Sequence, residues 1–96
     1  EYKSSLKNIE VRSIAQSHNG TIWIGTMGKG LFKYENGALT SVELPQQYAS
    51  DWIYSIYPED DKIWLGTSSG LLCLNRATIT QVFPEKGVIY IELIPI

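Results

Sequence analysis

Apolar and polar positions alternate along most of this chain in short runs, and the runs end at Gly, Asn, Asp or Ser. The runs are rich in β-branched and aromatic residues, the composition of strands, and the residues between them are those of turns. They predict strands at about residues 11–16, 21–26, 31–35 and 39–43, then at 53–57, 62–67, 71–75 and 78–83. No stretch sustains a helical period, so no helix is expected. Asn19-Gly20 and Asn36-Gly37 read as tight type I′ hairpins, whose two central residues both need positive φ, and Asp60-Asp61 as a weaker version of the first. One run breaks the alternation: Ile22, Trp23 and Ile24 are consecutive, so that strand is apolar on both faces. A one-sided sheet does not require this; a sheet packed between two others does.

The eight runs are one pattern written twice. Ile22-Trp23-Ile24-Gly25-Thr26 returns as Ile63-Trp64-Leu65-Gly66-Thr67, 41 positions on from Trp23 to Trp64, and each copy leads into a Gly-Leu pair, Gly30-Leu31 and Gly70-Leu71. Upstream, Val11-Arg12-Ser13-Ile14 overlies Ile53-Tyr54-Ser55-Ile56, and downstream Leu39-Thr40-Ser41-Val42 overlies Ile79-Thr80-Gln81-Val82. The length changes between copies fall in turns, which absorb them at little cost.

Four antiparallel strands in about forty residues, repeated, describe β-propeller blades. The expected fold is therefore all-β: two consecutive four-stranded antiparallel blades, part of a larger propeller. Blade one covers about residues 9–44 and blade two about 52–84. Residues 88–96 either open a third blade, since Ile89 to Pro95 can be laid on Trp52 to Pro58, or form an exit strand. In such a blade the link from Pro45 to Asp51 shares a rim with Met27-Gly28-Lys29 and Ser68-Ser69, and the Asn-Gly hairpins lie on the opposite rim.

Composition narrows the classes. A formal charge of −2 with singly scattered Lys and Arg argues against nucleic acid and against direct contact with an anionic membrane surface. One Cys leaves no internal disulfide and no cysteine metal site. No signal sequence or membrane span is visible; the run from Val88 to Ile96 is too short and contains Glu92. Two blades bury a single blade–blade face and leave two apolar faces, so the expected partners are neighbouring blades of a parent protein or identical chains.

The strings Ile22-Trp23-Ile24-Gly25-Thr26 with Gly30-Leu31-Phe32-Lys33-Tyr34, and Ile63-Trp64-Leu65-Gly66-Thr67 with Gly70-Leu71, resemble the two-component regulator propeller repeat, as do Ser13-Ile14 and Ser55-Ile56. The resemblance covers about residues 9–83. It implies a large propeller in the extracytoplasmic region of a bacterial sensor histidine kinase, hence a periplasmic location and a role in signal transduction. Many such systems sense oligosaccharides, which makes carbohydrate sensing the implied role. Two repeats are far fewer than the family's usual array, and the kinase and its phosphorylatable histidine are absent, so no catalytic role carries over. The expectation is a non-catalytic sensing module with no cofactor and no metal.

Individual residues are assigned on that basis. Trp23 and Trp64, set between Ile and Ile or Leu, read as core packing, and Gly25, Gly30, Gly66 and Gly70 as backbone requirements at strand ends. Gly25 to Gly30 lacks the spacing and the following helix of a phosphate loop. His18 and Asp60-Asp61 read as solvated turn residues, and Cys73 as an inert thiol. One place competes for a binding role: Tyr48 and Trp52, beside Asp51, Gln46 and Lys29, offer aromatic faces and hydrogen-bonding groups that suit a sugar. Against it stand a purely structural role, in which the blades only close a ring, and a free-standing two-blade protein that completes a propeller by oligomerising.

Overall fold

The computed structural model describes residues 8–76 and 78–83. The first seven residues and the candidate third copy at 88–96 lie outside the described residues. Among the described residues there are eight strands: β1 (Val11–Gln16), β2 (Ile22–Thr26), β3 (Leu31–Glu35) and β4 (Ala38–Val42), then β5 (Ile53–Glu59), β6 (Lys62–Thr67), β7 (Gly70–Asn75) and β8 (Thr78–Phe83). They form two four-stranded sheets in the orders β1-β2-β3-β4 and β5-β6-β7-β8, antiparallel throughout. Each sheet is a propeller blade. Both inner strands carry a bulge at the same repeat position, between Val11 and Ser13 and between Ile53 and Ser55.

Three local features differ from the sequence expectation. β5 runs on through Pro58 to Glu59, which is allowed because β5 is the sheet's edge and a missing N–H there breaks no ladder bond. A single 3₁₀ turn, Gln46–Tyr48, interrupts the linker; Pro45 at φ −53° presets its start, and the Tyr48 amide donates to the Pro45 carbonyl at 2.9 Å. The first hairpin is not type I′. Asn36 and Gly37 both have positive φ (51° and 78°), but of Asn19-Gly20 only Gly20 does, at 95°. Here the Gly20 amide donates to the Ser17 carbonyl and the Ser17 amide to the Thr21 carbonyl, both at 2.9 Å, giving a longer loop closed by Gly20. The Asn19 side-chain oxygen accepts from the Ser17 hydroxyl (2.7 Å) and the Thr21 amide (3.1 Å), which holds Asn19 inside the loop.

The core lies between the blades. Leu31 of blade one packs with Ile63, Leu65, Leu72 and Leu74 of blade two, and Trp23, Val42, Ile56 and Ile79 flank that cluster. Register explains the division: Gly25, Leu31 and Val42 form one row across a face of blade one, and Ile56, Leu65 and Leu72 one row across the facing side of blade two. Ile53, Leu65 and Leu72 are fully buried, each contributing about 1.5–3 kcal/mol relative to exposure.

Gly25 sets the spacing of the two blades. A methyl group there would lie 2.6 Å from Cγ2 of Ile53 and against the Ser13 hydroxyl, so only glycine admits the inner strand of the next blade. The Ser13 hydroxyl then donates to the Ile53 carbonyl at 2.9 Å and locks the approach. The Gly-Thr half of the motif has a different job. Thr26, fully buried, donates from its hydroxyl to the Gly30 carbonyl (2.7 Å) and accepts from the Lys29 amide (2.9 Å). Thr67 does the same with the Gly70 carbonyl and the Ser69 amide. Gly30 and Gly70, at φ 94° and 116°, supply the left-handed residue that ends each turn.

Candidate functional site

The β2–β3 turn, the β6–β7 turn and the end of the inter-blade linker meet on one rim, and Trp52 is where they meet. Trp52 bridges Met27 of blade one. Its amide donates to the Ser68 hydroxyl at 3.0 Å, and its carbonyl accepts from the Ser68 amide at 3.1 Å. The indole runs beside Gly28 and is 45% exposed. The backbone is thus pinned to both blades while the ring stays open to solvent.

The same backbone position in blade one is held by Glu10. Its carbonyl accepts from the Met27 amide at 3.0 Å, as that of Trp52 accepts from Ser68. The backbone contact at this repeat position is therefore made without an aromatic ring in blade one. An exposed aromatic on a rigid support that the scaffold does not require is the signature of a contact residue.

Two neighbours not singled out in the sequence complete the patch. Tyr54 lies with its ring centroid 6.3 Å from that of Trp52 and tilted by 53°, a favoured aromatic geometry. The Arg12 guanidinium lies 5.8 Å from the Tyr54 centroid, within cation–π range. Tyr54 lies in β5 two residues after Trp52, and Arg12 is its repeat equivalent, but nothing in the sequence itself brings Arg12 and Tyr54 together.

The other candidate residues separate. Lys29, exposed, is in the β2–β3 turn next to Gly28. Gln46 is exposed at the start of the 3₁₀ turn. The Asp51 amide donates to the Tyr48 carbonyl at 3.1 Å, and its buried Oδ2 makes no hydrogen bond. Tyr48 is 7% exposed within the core cluster. Its hydroxyl donates to Oε1 of Gln81 (3.3 Å), whose Nε2 donates to the Ser69 carbonyl (2.8 Å). Its ring faces the interior and offers no surface to a ligand in solvent, so the pair formed with Trp52 is with Tyr54.

The tryptophans of the repeat are half-buried rather than sealed. Trp23 flanks the inter-blade core with Lys33 over its ring at 5.8 Å. Trp64 is on the opposite face of β6 from Leu65 and donates its indole N–H to Glu59 at 2.9 Å. Gly66 pairs with Ser55 as Gly25 pairs with Ser13.

The opposite rim carries a groove of about 460 Å³ between the blades, lined by His18, Trp23, Lys33, Asp60 and Arg76 among others. Beside it, Glu35 accepts from the Thr21 hydroxyl at 2.9 Å and pairs with Lys33 at 3.2 Å. The Thr21 hydrogen bond, and then Lys33, hold the Glu35 carboxyl below its ordinary value. Cys73 is a buried free thiol, and no group of three metal-ligating side chains occurs among the described residues.

Two stacked four-stranded blades, each with an inner-strand bulge and a Thr-capped turn, define a propeller repeat. The family model described as two component regulator propeller matches residues 5–28, which take in β1, the first hairpin, β2 and Met27-Gly28. Over those residues the chain is similar to the repeat of that family, which is a non-catalytic propeller repeat. No curated protein and no solved structure matches the chain.

Proposed function

We propose that this chain is a sensing module of a bacterial two-component regulator, working in the periplasm as part of the extracytoplasmic propeller of a sensor kinase. Its ligand is an oligosaccharide, received on the rim at Trp52. One observation carries the reading: the Trp52 backbone is held by Ser68 and Met27, Glu10 makes the equivalent carbonyl contact in blade one without a ring, and the Trp52 ring is nearly half exposed. Pyranose C–H faces stack on indole, with the Tyr54 ring beside Trp52, and Lys29 in the adjoining β2–β3 turn is a polar group to orient sugar hydroxyls. Ligand affinity for one blade arrangement over another would bias a rigid-body change passed onward to the output domain. No helix among the described residues is long and apolar enough to cross a membrane.

Calorimetric titration of the chain with oligosaccharide fractions tests this. The expected outcome is saturable heat that Trp52→Ala weakens at least tenfold, about 1.4 kcal/mol, without altering the melting temperature. Equal affinity in Trp52→Ala and the parent, or no heat with any fraction, removes the proposal.

A further inference from the structure

The bulges of β1 and β5 each add one residue, and that residue differs between copies whose flanking residues agree. In β1 the register steps from Val11 opposite Thr26 to Ser13 opposite Gly25, so the extra residue is Arg12. In β5 it steps from Ile53 opposite Thr67 to Ser55 opposite Gly66, so the extra residue is Tyr54. On either side the copies match: Val11 with Ile53, Ser13 with Ser55 and Ile14 with Ile56. The flanks in blade two are committed to packing, since Ile53 is fully buried against Gly25 and Ser55 is buried. The Ser13 hydroxyl, in blade one, donates to the Ile53 carbonyl at 2.9 Å.

A bulge re-aims the side chain it adds, and bulges concentrate at sheet edges and beside functional sites. Both β1 and β5 are edge strands. A bulge that only blunted the edge would ask nothing of its side chain. Here one copy supplies a guanidinium and the other a phenol, and the two meet across the blade junction, with Cζ of Arg12 5.8 Å from the centroid of the Tyr54 ring. Tyr54 in turn lies 6.3 Å from Trp52, centroid to centroid. Arg12 and Tyr54 are half-buried and Trp52 is exposed. The two bulges thus link a cation of blade one to the open indole of the linker through one ring.

We infer that Arg12 makes this rim selective for acidic oligosaccharides, chains in which a pyranose carries a carboxylate. The inference rests on the reading of Trp52 as the saccharide contact and names the class of sugar received there. The step from Trp52 to Tyr54 is comparable to the length of one pyranose unit. A sugar stacked on Trp52 therefore brings its neighbour to Tyr54, where a carboxylate meets the guanidinium. Arg pairs with a carboxylate in a planar, bidentate fork, and its five N–H donors are more than contact with one ring occupies. Glu10 and Asp51 stand on the same stretches of chain and offset the charges of Arg12 and Lys29. The selectivity comes from contact with the guanidinium and not from a long-range field.

Calorimetric titration with a uronic-acid oligosaccharide, and with the same oligosaccharide after reduction of its carboxylates to alcohols, reads the selectivity directly. The parent should bind the acidic form about tenfold more tightly, the worth of one hydrogen bond to a charged group. Arg12→Gln should bring the two affinities together, and Arg12→Lys should restore part of the difference, because it keeps the charge without the fork. Added salt should narrow the gap in the parent itself, a measurement that needs no variant to fold. Equal affinities in the parent overturn the inference and leave Trp52 standing as a saccharide contact. A preference that survives in Arg12→Gln, or that salt does not narrow, overturns it in the same way. No binding of either form removes this inference together with the reading of Trp52.

Discussion

Gly25 shows how much one missing methyl group does. The inner strand of blade two approaches until Ile53 fills the space above Gly25, and the Ser13 hydroxyl satisfies the Ile53 carbonyl at 2.9 Å. A Cβ in that space forces the strands apart or drives Ile53 off its rotamer. Gly25→Ala should therefore cost about 1–3 kcal/mol, the usual range for overpacking a core, and denaturant melts followed by tryptophan fluorescence would read it. Ala at exposed Gly20, by contrast, meets nothing in space and is opposed only by its positive φ. Glu35 supplies a residue-scale prediction in pH. Its folded-state pKa is depressed by Thr21 and then Lys33. Its contribution to stability is thus present above the unfolded carboxylate value and is lost as pH falls through the lower folded value. The carboxyl is open to solvent, so the effect on stability is small, and the measurement is a side-chain NMR titration. Thr21→Val should move the Glu35 midpoint upward toward the ordinary carboxylate range; an unmoved midpoint would assign the shift elsewhere.

At the scale of strands and turns, much was legible because one face-switching pattern recurs at fixed spacing. Runs of β-branched and aromatic residues, with Gly and Asn between them, place all eight strands, and the consecutive Ile22-Trp23-Ile24 discloses a sheet apolar on both faces. The turns were legible only in part. Asn36-Gly37 adopts the paired positive φ its dipeptide implies, but Asn19-Gly20 does not, because Ser17 and Thr21 offer Asn19 two hydrogen bonds in a longer loop. That competition is local chemistry no dipeptide rule includes. Thr26 and Thr67 were legible as repeated letters and not as turn caps, since their hydroxyls act through backbone groups two to four residues away. At the rim, Trp52 was visible as an aromatic in a loop, while Tyr54 and Arg12 were not. The first sits inside a strand and the second comes from the neighbouring blade, so their meeting depends on how the blades stack.

At the scale of the whole molecule, the linker between blades divides into two parts with opposite duties. Tyr48 and Trp52 stand four residues apart in the sequence, and both are aromatic loop residues by composition. Tyr48 is drawn inward by the 3₁₀ turn at Gln46–Tyr48, joins Leu31 and Leu72 in the core, and reaches Gln81 with its hydroxyl. It thereby staples the linker to the outer part of blade two. Trp52 is held outward by the backbone bonds to Ser68. The consequence is a double dissociation between stability and recognition. Tyr48→Ala empties a buried aromatic site and should cost about 3–5 kcal/mol, lowering the melting temperature of the two-blade unit. Affinity for any rim ligand should stay near the parent's, measured below that lower melting temperature. Trp52→Ala should do the reverse, with an unchanged melt and lost affinity. Parallel losses in both variants would mean that the rim and the inter-blade core are one cooperative unit. In that case the exposure of Trp52 would no longer mark it as a residue spared from folding.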